Sequence, residues 1–272
     1  MYVAAPAPIP SFETACCQGV AGITFIGEEV FVVCRADATG AETEIQVYNV
    51  TACYAYTRSI SILITAGDGI TACATTGYLY LADQKNGLIY KINSKNSLDR
   101  TSWSASLYDS YQPWDSITID SQCNIITVSG TQIQIFDENG LLVDSVTLSG
   151  GLYGEVAAHF AARTSNGYAV VYEDTWSSVV LSLFSSSGDY ELETADSSFY
   201  LLTATSLIVN NDYIIVADAG AGKVKLFNPS LNVVPGFTFS AGAYHMWLDT
   251  TSGILYVGFD YGQNVTMYTI SG

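Results

Sequence analysis

Charge is what this chain has least of. Only 13% of its 272 residues are Asp, Glu, Lys or Arg, against roughly a quarter in an average globular domain, while 49% are hydrophobic. That balance excludes a disordered chain, which needs low hydropathy and high charge. Basic side chains are scarcest: 9 Lys and Arg stand against 26 Asp and Glu, a formal charge of -17. Such a polyanion is repelled by phosphate backbones and anionic lipid, so nucleic acid and membranes are excluded as partners. No apolar run reaches the ~18 residues that cross a bilayer. Residues Met1 to Phe12 have neither the basic nor the apolar region of a signal peptide, so any export signal is expected to have been removed or never to have existed. Apolar residues recurring at helical spacing are missing as well, which discards a helical domain.

Catalytic signatures are equally thin. No G-x-S-x-G elbow presents a serine, and no D-x-[DN]-x-[DN]-G loop is built for calcium. Ala219-Gly220-Ala221-Gly222-Lys223 is similar to a phosphate-binding loop but lacks its first glycine, and Val224 replaces the hydroxyl residue, so it reads as a hairpin loop. The only histidines, His159 and His245, sit among apolar or aromatic neighbours and read as core or channel-lining residues. The six cysteines, Cys16, Cys17, Cys34, Cys53, Cys73 and Cys123, contain no C-x-x-C pair, which speaks against zinc; they read as small buried hydrophobes. Two N-x-[ST] sequons, at Asn49 and Asn264, are no more than chance supplies in a chain so rich in Ser and Thr.

What the sequence has is repetition. An apolar strand, a polar turn, a second strand such as Tyr78 to Leu81, a Gly-bearing or acidic loop, and an alternating third strand recur six times. The third strands begin at Ile45, Ile89, Ile133, Leu181, Val224 and Val265, at intervals of 44, 44, 48, 43 and 41 residues. A period near 44 with about four strands per unit predicts an all-β, six-bladed β-propeller with four-stranded antiparallel blades, one domain over residues 1–272. The last unit stops after its third strand, and Tyr2 to Pro8 is left over at the other end. That segment is expected to close the ring as the outermost strand of the sixth blade, where Pro6, Pro8 and Pro10 suit an edge.

Pro113 to Asp120, followed by Asn124 to Val128 and Ile133 to Gly140, resembles one NHL repeat, and Leu79 to Asp83 and Ile214 to Asp218 carry the same core. The resemblance is to six-bladed NHL propellers, and it implies a binding platform with no fixed chemistry. Six-bladed calcium-dependent lactonases and gluconolactonases supply the enzymatic alternative, but of their signatures only Ser165-Asn166-Gly167 is present. A structural, self-assembling protein is the remaining alternative.

In a four-stranded blade, the loops between second and third strands share one face of the ring with the loops that enter the next blade. On that face the sequence sets Asp83, Asp174, Asp218 and Asp260 beside Trp114, Tyr153, Tyr200 and Tyr244. Carboxylates with aromatics suit a protein, peptide or glycan ligand, cationic groups being favoured; turn formation by Asp and Gly accounts for the same pattern. Asp83 and Asp218, if they repel one another without a local role, should be stabilising to neutralise. The sequence therefore predicts a non-enzymatic binding module with no catalytic residue, no metal and no cofactor. Few lysines and a strongly acidic, Tyr/Ser/Thr-rich surface favour an extracellular setting over the cytoplasm.

Overall fold

The computed structural model describes residues 7–16, 19–34, 43–62, 64, 67–107, 117–150, 157–173, 179–194, 204–211, 213–235, 237–240, 243–259 and 263–270. The chain opens with β1 (Ala7–Glu13). Blade 1 follows as β2 (Val20–Ile26), β3 (Glu29–Cys34), β4 (Thr43–Asn49) and β5 (Ala55–Ile62), and blade 2 as β6 (Gly67–Cys73), β7 (Tyr78–Asp83), β8 (Leu88–Asn93) and β9 (Arg100–Ser104). Blade 3 is β10 (Ile117–Ile119), β11 (Ile125–Ser129), β12 (Gln132–Phe136) and β13 (Leu142–Thr147). Blade 4 is β14 (Ala157–Arg163), β15 (Gly167–Glu173), β16 (Val179–Ser185) and β17 (Tyr190–Glu193). Blade 5 is β18 (Ala204–Asn210), β19 (Tyr213–Asp218), β20 (Lys223–Phe227) and β21 (Phe239–Ser240); β22 (Ala243–Asp249), β23 (Ile254–Phe259) and β24 (Asn264–Thr269) complete the chain. Each blade is a four-stranded antiparallel sheet, and the six blades form the ring of a β-propeller.

The sixth blade has the order β1-β24-β23-β22, so a strand from the start of the chain does close the ring. The described extent of that strand is Ala7–Glu13, with Ala7 opposite Thr269 and Glu13 opposite Asn264; it shares Ala7 and Pro8 with the expected Tyr2 to Pro8 and runs on to Glu13, while Tyr2 to Pro6 lie outside the described residues. The anchor is Phe12, which is buried and stacks on Tyr54 of blade 1 at 4.7 Å between ring centroids. An apolar run alone suggests an end at Pro8, whereas burying Phe12 between the two blades fixes the register. Pro8 and Pro10 lie on this edge strand, where a missing N–H is tolerated.

Burial explains why the second strands read as unbroken apolar runs. In β3, β7 and β19 every residue after the first is buried, because both faces of a blade are covered by its neighbours. Among the described residues the core is divided into wedges, each filling one seam between adjacent blades. Phe31, Val33 and Ile45 of blade 1 meet Leu79, Leu81 and Ile92 of blade 2, for example, while Val30 and Val32 meet Tyr256 and Met267 of blade 6. The outermost strands β5, β9 and β13 are largely exposed.

Turns also lock neighbouring blades together. Gly188 has a φ of 90°, and a Cβ there would lie 2.2 Å from the Thr147 carbonyl oxygen, so the β16–β17 turn packs backbone to backbone against blade 3. The seam is closed by hydrogen bonds from Ser149 N to Gly188 O (2.9 Å) and from Tyr190 N to Ser149 O (3.0 Å). On the next seam, Gly140 lies flat against the Trp103 indole of β9.

The cysteines differ from expectation. Cys16 is bonded to Cys34, and Cys73 to Cys123, at sequence separations of 18 and 50 residues. Cys53 is an exposed free thiol, and Cys17 lies outside the described residues. The burial expected of Cys16, Cys34 and Cys73 holds, but its reason is the bridge each one forms: Cys16 is tied to the end of β3 in blade 1, and Cys73 to a turn of the neighbouring blade 3.

Candidate functional site

The face singled out from sequence holds Asp83 and Asp218 at equivalent positions, the last residues of β7 and β19. Neither carboxylate is exposed. Asp83 accepts hydrogen bonds from Asn86 N (3.2 Å) and Asn86 Nδ2 (2.9 Å). Asp218 accepts one from Ala221 N (3.1 Å) and pairs with Lys225 Nζ at 2.8 Å, itself only 9% exposed. Each acid thus closes its own hairpin, which ends in a glycine of positive φ, Gly87 or Gly222. Blades 2 and 5 stand opposite one another in the ring, so these two carboxylates are not brought together. The expectation that neutralising them stabilises the fold is reversed at Asp218, because its charge is matched by a buried ammonium. Of the other expected site residues, Tyr244 lies on β22 and nothing is described of its side chain; Asp174, Asp260, Trp114, Tyr153 and Tyr200 lie outside the described residues.

A cavity of about 970 Å³ lies at the other end of the inner strands. Its wall comes from five blades: Thr71 on β6, Thr118 on β10, Ala162 and Arg163 on β14, Ser206 and Leu207 on β18, and Met246 and Trp247 on β22. Its mouth is made by the turns joining first to second strands, through Gln122 and Asn124, Thr164 and Ser165, Asn210 and Asn211, and Thr250. Between blades 3 and 4 it runs outward to Val143 and Asp144 of β13.

The polar groups here are positioned by local bonding. Asp120 accepts from Gln122 N (2.9 Å), Asn124 N (2.8 Å) and Asn124 Nδ2 (2.9 Å), which fixes the blade-3 turn and leaves its amide side chains at the mouth. Cys123 lies in that same turn with a φ of 65°, and its disulfide to Cys73 ties the rim of blade 3 to the end of β6. Thr118 Oγ1 donates to Ala161 O across the seam (2.7 Å). Arg163, the one basic residue of the lining, donates to the Tyr168 hydroxyl and stands 4.8 Å from the centre of its ring. Burial pushes the Tyr168 hydroxyl up, against the opposing pull of Arg163.

The histidines are both buried, as their apolar settings implied. His159 stands where β14 slips its register between Ala158 and Phe160; β2, β6, β18 and β22 carry a similar irregularity near their starts. Burial pulls the His159 imidazole down to about 4, so it is neutral at pH 7. Among the described residues no three His, Cys, Asp or Glu side chains come together in a way that would hold a metal ion.

Sequence reasoning missed the cavity because its lining is ordinary Thr, Ser, Asn and aliphatic residues, one or a few from each blade. The signal that would have found it is the polar end of each first strand, Thr118 to Asp120, Arg163 to Ser165 and Asn210 to Asn211. No protein-family model and no curated protein matches this chain.

Proposed function

We propose that this NHL-like propeller is a non-enzymatic binding module that takes a neutral glycan at the cavity mouth. The observation that carries the reading is the chemistry of the lining: hydroxyl and amide side chains converge from several blades around half-buried Trp247, with a single guanidinium and two carboxylates. Amides and hydroxyls match the alternating donors and acceptors of a sugar, and an indole face supports its apolar C–H surface. A net charge of -17 disfavours an anionic ligand. Asp120 already accepts three hydrogen bonds within its own turn, which favours a positioning role over acid–base chemistry. The NHL likeness rests on Leu79 to Asp83, Asn124 to Val128 and Ile214 to Asp218, and the two disulfides support an extracellular setting.

A glycan microarray followed by calorimetry on the best neutral oligosaccharide tests this. Trp247→Ala and Asn210→Ala should each weaken binding at least about tenfold, equivalent to about 1.4 kcal/mol. Asp83→Asn, on the opposite face, should leave it unchanged. Retention of no neutral oligosaccharide, or binding lost in Asp83→Asn but kept in Trp247→Ala, overturns the reading.

A further inference from the structure

We propose that Asn49 is an N-glycosylation acceptor, modified at Nδ2 while its Oδ1 goes on holding the turn that follows β4. Five turns between third and fourth strands begin with a residue whose side-chain oxygen accepts backbone N–H bonds. These residues are Asn49, Asn93, Asp137, Ser185 and Asn228. The position is a structural cap, and an asparagine there needs only its oxygen. Asn49 Oδ1 accepts from Ala52 N (2.9 Å) and from Thr51 Oγ1 (2.7 Å).

The amide nitrogen separates the three asparagines. Asn93 Nδ2 donates to Asp99 Oδ2 at 3.0 Å, and its Ser94-Lys95 continuation is no sequon. Asn228 is followed by Pro229, which blocks acceptance in an otherwise matching Asn-Pro-Ser. Only Asn49 of this series starts an acceptor sequon, Asn49-Val50-Thr51, and its Nδ2 has no hydrogen-bond partner among the described residues. Thr51, Ala52 and Cys53 after it are exposed, so a glycan has open solvent to occupy. The second sequon is placed differently: Asn264 begins β24, a strand paired on both sides, by β1 and by β23.

An independent observation points to the compartment where this chemistry occurs. The Cys16–Cys34 and Cys73–Cys123 bridges belong to chains folded under oxidising conditions, where sequon glycosylation also takes place. The donor is an oligosaccharide linked to a lipid pyrophosphate. Its anomeric carbon bonds to Asn49 Nδ2, the bond from that carbon to the pyrophosphate oxygen breaks, and Nδ2 gives up one proton. The N-linked amide keeps its oxygen, so neither cap bond is lost.

The test is secretion of the full chain from a eukaryotic host, with amidase release of N-glycans read by gel shift and by aspartate formation at residue 49. Asn49→Asp retains an oxygen cap and removes the acceptor nitrogen, so it should fold and lose the glycan completely. Thr51→Ala should lose it too, Thr51→Ser should keep it, and Asn264→Gln should leave the residue-49 glycan in place. A secreted wild type with no glycan at residue 49, or one whose glycan survives in both Asn49→Asp and Thr51→Ala, overturns the proposal.

Discussion

Removing the disulfide at the cavity rim should destabilise the protein by an amount set chiefly by the unfolded chain. Cys73 and Cys123 are 50 residues apart, and closing a loop of that length removes unfolded-state entropy worth about 4 kcal/mol at 25 °C. The shorter Cys16–Cys34 loop, 18 residues, should be worth about 3 kcal/mol by the same reasoning. Alanine is the right replacement: Cys73 is buried, and serine would bring a new polar group into that site beside the Thr75 hydroxyl. The rim turn itself should survive, because Asp120 holds it through bonds to Gln122 and Asn124. The Cys73→Ala/Cys123→Ala variant should therefore melt about 10 °C below the wild type, at about 2–4 °C per kcal/mol for a chain of this size. Urea titration should give a lower midpoint with little change in slope. Reductant should lower the wild-type melting temperature and leave a variant lacking both bridges unmoved. Thiol titration of unreduced, denatured protein should find at most two of the six cysteines, Cys17 and Cys53. Four or more reactive thiols, or a wild-type melting temperature indifferent to reductant, would refute the reasoning.

Asp218→Asn should lower stability by about 3 kcal/mol in urea unfolding, since it removes the carboxylate paired with buried Lys225, and Lys225→Met in the same chain should restore much of it. Asp83→Asn, whose partners are the neutral groups of Asn86, should cost about 1 kcal/mol. Gly188→Ala combines a left-handed φ with a Cβ 2.2 Å from the Thr147 carbonyl, so about 3 kcal/mol is expected; Gly222→Ala, with φ 60° and no atom within 4 Å, should cost about 1 kcal/mol, and equal losses in melting temperature would contradict this. For His159 the folded imidazole, drawn down to about 4, binds its proton later than the unfolded one at 6.5. Stability should thus be unaffected above pH 6.5 and fall by up to about 3 kcal/mol as pH drops from 6.5 to 4. His159→Gln should flatten that stretch of the profile, and an unchanged slope argues against a neutral buried imidazole.

Fold and site were unequally legible. The six third strands were readable to within two residues of their starts, because each blade repeats the same strand order at a steady period and sets an apolar residue at the same buried place; Ile45, Ile89 and Ile133 are each fully buried. The closing strand was readable in kind but not in register, since Phe12 finds its ring partners Tyr48 and Tyr54 only once blade 1 stands beside it. Disulfide pairing was not readable, because Cys123 meets Cys73 across a blade boundary. Asp83 and Asp218 were correctly seen as equivalent, yet sequence cannot tell a carboxylate turned toward a ligand from one turned into its own hairpin. The ion pair that distinguishes them depends on Lys225 returning along the adjacent strand.

Closure by β1 has a consequence for how the chain is made. Within the propeller β1 is made before every other strand, yet its partner β24 is the last strand of the sheet to be synthesised, with Ala7 opposite Thr269. Contacts so distant in sequence slow folding, and until they form the nascent chain carries an unpaired edge bearing Phe12 at one end and a bare β24 with Val265 and Met267 at the other. The Cys16–Cys34 bridge shortens that interval. It needs only blade 1, so it can form while later blades are still being translated, and it holds β1 at the gap that blade 6 will fill. Completing the ring is then a local docking step rather than a search by an unanchored strand.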